Sequence, residues 1–199
     1  MGSLAELPLP FPRACTMNFP MKPDPITIRP AHDRDREAIG QIHLAAFSDA
    51  ENRTVATLAD NLLGETSQPP TLSLLAEIQG KLIGHIAFSP VTLDTAPHFQ
   101  GYILAPLGID PAHQRQGLGS RLIDHGIQQL SEMEVDLVFV YGDPAYYGRF
   151  GFREKTAHPY PPPYPLEYPF GWQARKLTDK NASPGSISCV PSLCRPELW

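Results

Sequence analysis

The most informative stretch of this chain is Gln114-Arg115-Gln116-Gly117-Leu118-Gly119. It follows an apolar run that ends at Ile109, and it precedes a segment whose apolar residues recur at helical spacing. The order strand, loop and helix places both glycines beside the first helical turn. The unpaired N–H groups and the positive dipole end of a helix converge there, and glycine leaves them open to an anion. The sequence therefore predicts a phosphate-binding loop.

Two common phosphate-binding loops compete for this motif, and both fit poorly. A Walker loop requires a lysine before its serine, whereas Ser120 directly follows Gly119. A dinucleotide fingerprint requires a third glycine, which this stretch lacks. The competing interpretation is a helix that begins with glycines but binds no ligand there.

Composition argues against several classes of function. The 16 basic and 21 acidic residues give a net charge of −5, so we expect no nucleic-acid partner. No apolar run approaches the roughly 18 residues of a membrane span, and no signal peptide is recognisable, so we expect a cytoplasmic protein without a membrane partner. The cysteines are Cys15, Cys189 and Cys194, an odd number without metal-ligand spacing. A pairing of Cys189 with Cys194 is conceivable, but reduced thiols and no metal site are the simpler expectation.

The predicted elements describe one α/β domain with a mixed central sheet. Residues 1–24 contain prolines without periodicity and are expected to form a flexible leader, 25–180 hold the domain, and 181–199 form a tail that could add a final strand to it. The elements follow the order β-α-α-β-β-β-α-β-α-β, with a hairpin that turns at Gln79-Gly80-Lys81. A hairpin meander combined with crossover helices favours a mixed sheet over a fully parallel one.

Pro106 interrupts the apolar strand before the loop. Proline removes a hydrogen-bond donor from a strand, so it marks an edge or a bulge. One interpretation is a modest local kink. The other is that the strand separates from its neighbour here, which leaves the main chain of Leu107, Gly108 and Ile109 partly unpaired. An extended ligand that carries amide groups could then pair with this segment as an additional strand.

Three further stretches extend the loop motif to a family pattern. They are Leu82–Pro90, Leu107–Pro111 and Gly142–Phe152, and in the last of them a tyrosine precedes Gly-Phe by four residues. Together with a loop of the form Q/R-x-x-G-x-G/A, they resemble a bacterial-type branch of the GNAT superfamily of N-acetyltransferases over about residues 24 to 180. The resemblance implies a GNAT fold, in which helices flank a mixed sheet that is splayed at a bulged fourth strand. It also implies acetyl-CoA as the acyl donor.

The resemblance implies roles for individual main-chain groups. The loop would donate N–H groups to the pyrophosphate of coenzyme A, with Arg115 and Ser120 as further contacts. The bulged strand would pair with the pantetheine arm, which contains two amides. The cofactor-binding residues predicted in this way are Leu107, Gly108, Ile109, Gln114, Arg115, Gln116, Gly117, Leu118, Gly119 and Ser120.

Acid and base candidates follow from the same resemblance and from the residue types. Tyr147 stands where the family keeps its general acid, which protonates the departing thiolate. A phenol with a pKa near ~10 suits a thiol with a pKa near ~8.5. Tyr146 is the neighbouring competitor, and either ring could simply be a packing aromatic. The base stays open between His85, Glu51 and a chain of water molecules.

The sequence thus predicts an acetyl-CoA-dependent N-acetyltransferase, which transfers the acetyl group to an amine of a small molecule or protein by direct attack on the thioester. A homodimer is possible. The first alternative is a catalytically silent acyl-CoA-binding regulatory module on the same fold. The second is an adaptor that acts through the proline-rich segment Pro159–Pro169. We expect that segment to be a stiff loop bordering the acceptor site instead, with Tyr160, Tyr164 and Tyr168 as lining.

Overall fold

The computed structural model describes residues 26–180 and 182–199, so the leader predicted at 1–24 lies outside the described residues. The strands are β1 (Thr27–Pro30), β2 (Leu72–Ile78), β3 (Lys81–Leu93), β4 (Gly101–Ile109), β5 (Leu137–Tyr141), β6 (Trp172–Lys176) and β7 (Ile187–Cys189). The helices are α1 (Arg36–Ala46), α2 (Asn52–Gly64), α3 (Leu118–Glu132), α4 (Pro144–Tyr147) and α5 (Glu154–Ala157).

The strands form a mixed seven-stranded sheet with the order β1-β2-β3-β4-β5-β6, and β7 pairs with the far end of β3. Every pair is antiparallel except β4 with β5. The predicted α/β fold with a mixed sheet is therefore confirmed. The predicted hairpin is also present, and its turn has a positive φ at Gln79 (50°) and Gly80 (76°).

The sheet opens between β4 and β5, as predicted for a splayed fourth strand. Pairing of these strands ends at Leu104 with Val140, whereas β4 continues to pair with β3 as far as Ile109. The β3–β4 register shifts between Leu104 and Leu107, so the intervening residues Ala105 and Pro106 form a bulge. The strand predicted to separate at its proline does so, and beyond Leu104 its edge toward β5 has no strand partner among the described residues.

The two faces of the sheet carry different helices. On one face, α3 packs Leu122, Ile123, Ile127 and Leu130 against the sheet, and burial of each such side chain contributes about 1.5–3 kcal/mol. The other face is covered by α1 and α2, and near β6 and β7 by the proline-rich segment and the residues that follow it. We refer to these as the α3 face and the α1 face.

The start of α1 is fixed by an ion pair with β1. The Arg29 guanidinium donates to both carboxylate oxygens of Asp35, at 2.8 and 2.9 Å, and to Glu77 at 2.9 Å. The Arg29 hydrogen bonds lower the pKa of Asp35 to about 2. Because the Asp35 side chain is only 8% exposed, this pair is screened less than a surface pair. It holds the start of α1 against β1 and β2.

Candidate active site

The predicted phosphate loop forms the N-terminal end of α3. Gly117 precedes the helix in the left-handed conformation (φ 80°, ψ 4°), which glycine adopts without steric cost. The first helical bond runs from the Arg121 N–H to the Gly117 carbonyl at 3.0 Å. The N–H groups of Leu118, Gly119 and Ser120 therefore precede the helical hydrogen bonds, as the prediction required.

A cavity of about 230 Å³ lies against these N–H groups. Of the predicted binding residues, Leu107, Gly108 and Gln116 do not line it, and the Gln116 side chain instead donates to the Ala112 carbonyl at 3.3 Å. The lining also includes side chains that the sequence analysis did not place there, namely His113 and Arg149. The residues around the cavity are Ile109, His113, Gln114, Arg115, Gly117, Leu118, Gly119, Ser120, Tyr146 and Arg149.

Tyr146 forms one wall of this cavity. Its hydroxyl lies so close to Gly119 that a Cβ at that position would be 2.6 Å from it. The Arg149 guanidinium carbon lies 4.7 Å from the centre of the Tyr146 ring, so a positive charge flanks the cavity. With Arg115 also in the lining, the cavity combines free N–H groups and two guanidinium groups. This combination suits a multiply charged anion.

The open edge of β4 begins beside this cavity. The Asp110 N–H donates to the Ile83 carbonyl of β3 at 2.9 Å. Because main-chain groups point alternately to the two edges of a strand, those of Gly108 also face β3, whereas those of Leu107 and Ile109 face the opening. The Ile109 carbonyl accepts a bond from the Gln114 side chain at 3.1 Å. The opening therefore offers the Leu107 and Ile109 N–H groups to an extended ligand.

Tyr147 lies at the β5 side of the opening, on the α3 face. Its ring packs so closely on Gly142, the residue after β5, that a Cβ there would be 2.5 Å from a ring carbon. The ring centre lies 5.0 Å from that of Tyr146 and 5.9 Å from that of Phe152. Burial raises the pKa of Tyr147 well above its usual value. The phenol is therefore protonated at neutral pH and can act as a proton donor.

The base candidates have contrasting environments. Glu51 is exposed at the start of α2, where it accepts a bond from the Ser48 hydroxyl at 2.8 Å. His85 is buried in β3, and both of its ring nitrogens are engaged, Nδ1 with His43 Nε2 at 2.8 Å and Nε2 with the Ser73 hydroxyl at 2.9 Å. Burial lowers the pKa of both histidines, that of His43 to about 4. The sequence analysis did not identify His43 or Ser73 as parts of this group.

The proline-rich segment is folded against the body of the protein. Tyr160 is buried, its hydroxyl donates to the Ala182 carbonyl at 2.9 Å, and its own carbonyl accepts a bond from the Trp172 indole at 2.8 Å. The prolines enclose an apolar cavity of about 540 Å³ together with Tyr164 and Trp172. Tyr168 is 52% exposed and does not line this cavity.

The two described cysteines lie far along the chain from the loop. Cys189 is on β7, where burial raises the pKa of its thiol to about 12, and the Cys194 thiol donates to the Cys189 carbonyl at 3.4 Å. Neither thiol is paired with a base in these contacts, so neither is arranged as a nucleophile. Within the described residues no group of His, Cys, Asp or Glu side chains could hold a metal ion, and no helix is long and apolar enough to cross a bilayer.

Comparison with known proteins identifies the family. The family model for the acetyltransferase (GNAT) family matches residues 36–152, more than half of the chain. The chain belongs to this family. The GNAT chain is also 37% identical over 167 residues to YjhQ of Escherichia coli strain K12, named an uncharacterized N-acetyltransferase, and the match covers 78% of this chain and 87% of YjhQ. The family and the enzyme class predicted from the sequence are confirmed.

Solved structures agree with this assignment. The GNAT N-acetyltransferase YhbS of Escherichia coli, solved in complex with CoA, superposes with a TM-score of 0.76 at 28% identity, covering 87% of this chain and 94% of YhbS. A GNAT acetyltransferase of Brucella melitensis, solved with acetyl-CoA, superposes with a TM-score of 0.68 at 29% identity, covering 85% and 98% of the two chains. The predicted GNAT fold is thereby confirmed.

Proposed function

We propose that this GNAT enzyme transfers an acetyl group from acetyl-CoA to an amine of a small molecule or protein. The observation that carries the proposal is the continuity of two sites, the anion cavity at the start of α3 and the open edge of β4. Ile109 belongs to both, since it lines the cavity and its N–H faces the opening. A ligand with phosphates at one end and an amide-bearing arm would occupy both. Two similar enzymes were solved with CoA and acetyl-CoA, which supports this choice of ligand.

In this proposal the donor is held mainly by the main chain. The loop Gln114–Ser120 binds the pyrophosphate, with Arg115 and Arg149 neutralising its charge. Leu107 and Ile109 pair with the pantetheine amides, and Gly108 keeps the strand between them joined to β3. The thioester then lies near the point where β4 and β5 separate. A free N–H there can polarise the thioester carbonyl and stabilise the charge that develops on its oxygen.

The chemistry proposed is direct attack of a neutral amine on the thioester carbon. The amide bond forms, the C–S bond breaks, and Tyr147 gives its proton to the departing thiolate. The raised pKa of the Tyr147 phenol keeps that proton available. Holding amine and thioester in attack geometry contributes up to ~7–11 kcal/mol in ideal cases. The high pKa of Cys189 speaks against a covalent acyl-enzyme formed on that residue.

Two measurements test the proposal. Acetyl-CoA at about 100 times its dissociation constant should stabilise the protein by about 2.7 kcal/mol, seen as a rise in Tm. Release of free coenzyme A thiol should then be observed with members of a panel of primary amines. A protein that shows no rise in Tm would contradict the whole proposal. A rise in Tm without turnover of any amine would favour a silent acyl-CoA-binding module.

A further inference from the structure

A second cavity lies next to the anion cavity on the α3 face. It has a volume of about 500 Å³, and the side chains around it include those of Asp124, Arg149, Thr156, Arg175 and Lys176. Each of these residues is exposed or half-buried, so a ligand can reach them from solvent. Arg149 also lines the anion cavity, and the two cavities are therefore neighbours.

The second cavity is positively charged. Three basic residues and one acidic residue line it, although the chain as a whole has a net charge of −5. Neither Arg149 nor Arg175 forms an ion pair with an acidic side chain of the described residues. Their charges are therefore not neutralised within this part of the chain, and the cavity favours an anionic ligand.

Arg175 is held in place by the main chain beside the cavity. It lies on β6 opposite Val138 of β5, whose side chain packs on the α3 face, so the Arg175 side chain points to that face too. Its Nη1 donates to the Phe150 carbonyl at 2.7 Å. A guanidinium carries five N–H groups in one plane. The bond to Phe150 therefore orients this plane and leaves further N–H groups for a ligand.

Arg149 is fixed at the border between the two cavities. Its guanidinium carbon lies 4.7 Å from the ring centre of Tyr146 and 5.6 Å from that of Phe150. Its Nε also donates to the Tyr146 carbonyl at 3.2 Å. Contact with two rings and one hydrogen bond hold the planar group in place. One guanidinium can therefore contact two phosphate groups of the same ligand.

The proposed donor carries a third phosphate close to its pyrophosphate. In coenzyme A the pyrophosphate is attached to the 5′ position of the ribose, and a phosphate monoester is attached to the 3′ position of the same sugar. The pantetheine arm leaves the anion cavity at Ile109, where the opening begins. The nucleotide must leave the cavity on another side, and Arg149 borders the side that leads to the second cavity.

We propose that the second cavity binds the 3′-phosphate of the coenzyme A ribose, with Arg175 recognising this phosphate and Arg149 shared between it and the pyrophosphate. The proposal rests on the acetyl-CoA donor proposed above. A phosphate monoester carries a charge of about −1.5 to −2 at neutral pH, and arginine pairs with phosphate through two parallel hydrogen bonds. Arg175 lies beyond residues 36–152, which match the family model, so this contact comes from outside the matched range.

Calorimetric titration with coenzyme A and with dephospho-coenzyme A tests the proposal without an acceptor amine. The second ligand lacks only the 3′-phosphate. We expect the unmodified protein to bind coenzyme A about 10–100-fold more tightly, because charge-assisted hydrogen bonds are lost with the phosphate. A difference of less than about threefold would overturn the proposal.

Substitution of Arg175 tests which residue recognises the phosphate. Arg175→Gln should lower the affinity for coenzyme A by about tenfold and leave that for dephospho-coenzyme A unchanged. Arg175→Lys keeps the charge but not the planar group, and it should retain part of the preference. Arg53→Gln removes an exposed arginine of α2, on the opposite face of the sheet, and is the matched control with both affinities unchanged.

The comparison of two ligands on one variant separates recognition from folding. A loss of folded protein in Arg175→Gln would change the titration of both ligands alike. If this variant weakens coenzyme A and dephospho-coenzyme A by the same factor, Arg175 does not recognise the 3′-phosphate, and the proposal is wrong.

Adenosine 3′,5′-bisphosphate distinguishes the phosphate of the donor from that of a separate ligand. It carries the 3′-phosphorylated end of coenzyme A without the pantetheine arm. We expect it to compete with acetyl-CoA in a displacement titration, because both place a 3′-phosphate in the second cavity. Simultaneous binding of the two would mean that the cavity holds a separate phosphate ligand, which would overturn the proposal.

These outcomes separate the present proposal from the proposed function. If coenzyme A does not bind at all, both fail. If coenzyme A and dephospho-coenzyme A bind equally well, the acetyl-CoA donor stands and only the recognition of its 3′-phosphate fails.

Discussion

The two sides of the opening between β4 and β5 are built in opposite ways. On the α3 face, main-chain N–H groups, two arginines and Tyr146 surround a solvent-accessible cavity. On the α1 face, a buried pair of histidines is present, of which His43 packs against Gly108 and His85 bonds to His43. The cavity on the α3 face presents positive groups that suit an anion. The α1 face is instead closed by two buried rings whose pKa values are lowered by burial, so it presents no charge to a ligand.

The largest expected effect separates the two tyrosines of the α3 face. Tyr147→Phe should lower kcat by about 10²–10⁴-fold with little change in acetyl-CoA affinity, because the ring stays and only the proton donor is lost. Tyr146→Phe is the matched control and should mainly weaken acetyl-CoA binding, because its hydroxyl lies beside Gly119. Steady-state kinetics and calorimetric titration measure the two effects. A reversed pattern would make Tyr146 the acid.

The next effect concerns the α1 face and the pH dependence of stability. The pKa of His43 is about 4 in the folded protein, against 6.5 for a free imidazole. Its contribution to the free energy of unfolding is therefore complete above about pH 6.5 and is lost as the pH falls toward about 4, an effect of up to about 3 kcal/mol. His85 acts in the same direction. Urea unfolding at a series of pH values measures it.

His43→Phe provides the control for this pH window. It should reduce the decline between about pH 6.5 and 4 to the part that His85 causes, and leave the decline below it, where Asp35 loses its charge and its bonds to Arg29. A decline of unchanged size in the variant would mean that His43 is hydrated in the folded protein, which would contradict the dry α1 face.

The smallest expected effect tests the anion cavity with one methyl group. Gly119→Ala places a Cβ against the Tyr146 hydroxyl and should weaken coenzyme A binding by about tenfold, or about 1.4 kcal/mol. Gly40→Ala, in α1, is the matched control, because a Cβ there has no neighbouring atom within 4 Å. Both changes replace glycine by alanine within a helix and raise helix propensity by up to about 1 kcal/mol, so a loss of affinity in Gly119→Ala alone reports on the cavity. If calorimetry gives the two variants the same affinity for coenzyme A, the loop is not part of its binding site.

The α3 side of the site could be predicted from sequence because its signals are local. Glycines 117 and 119 lie beside one helix start, and Pro106 marks the bulge eleven residues before Gly117. The free N–H groups at a helix start and the bulge at a proline both depend on main-chain hydrogen bonding within one helical turn or one strand. Spacing did not indicate where the Gln116 side chain lies: it bonds back to the Ala112 carbonyl and does not line the cavity, while the main-chain role predicted for Gln116 stays a prediction.

The α1 side could not be predicted because its contacts join distant parts of the chain. His43 follows the buried Ile42 in α1, and nothing in its spacing distinguishes it from other positions on the buried face of that helix. Its partner His85 is 42 residues away on another element. Only the packing of α1 on β3 and β4 brings the two rings together. A histidine on each of two adjoining buried elements is the only signal available, and it is weak.

The bulge in β4 has a consequence for how this strand tolerates change in length. Before it, Tyr102 and Leu104 point to the α3 face, and after it Leu107 and Ile109 point there too, although an uninterrupted strand would turn the latter pair to the α1 face. Losing a single residue at the bulge would reverse every later side chain of the strand. It would drive Leu107 and Ile109 into His43 and withdraw the Leu107 and Ile109 N–H groups from the opening. Substitution of Pro106 would keep these directions, but its deletion would exchange the faces to which the side chains of Leu107 and Ile109 point.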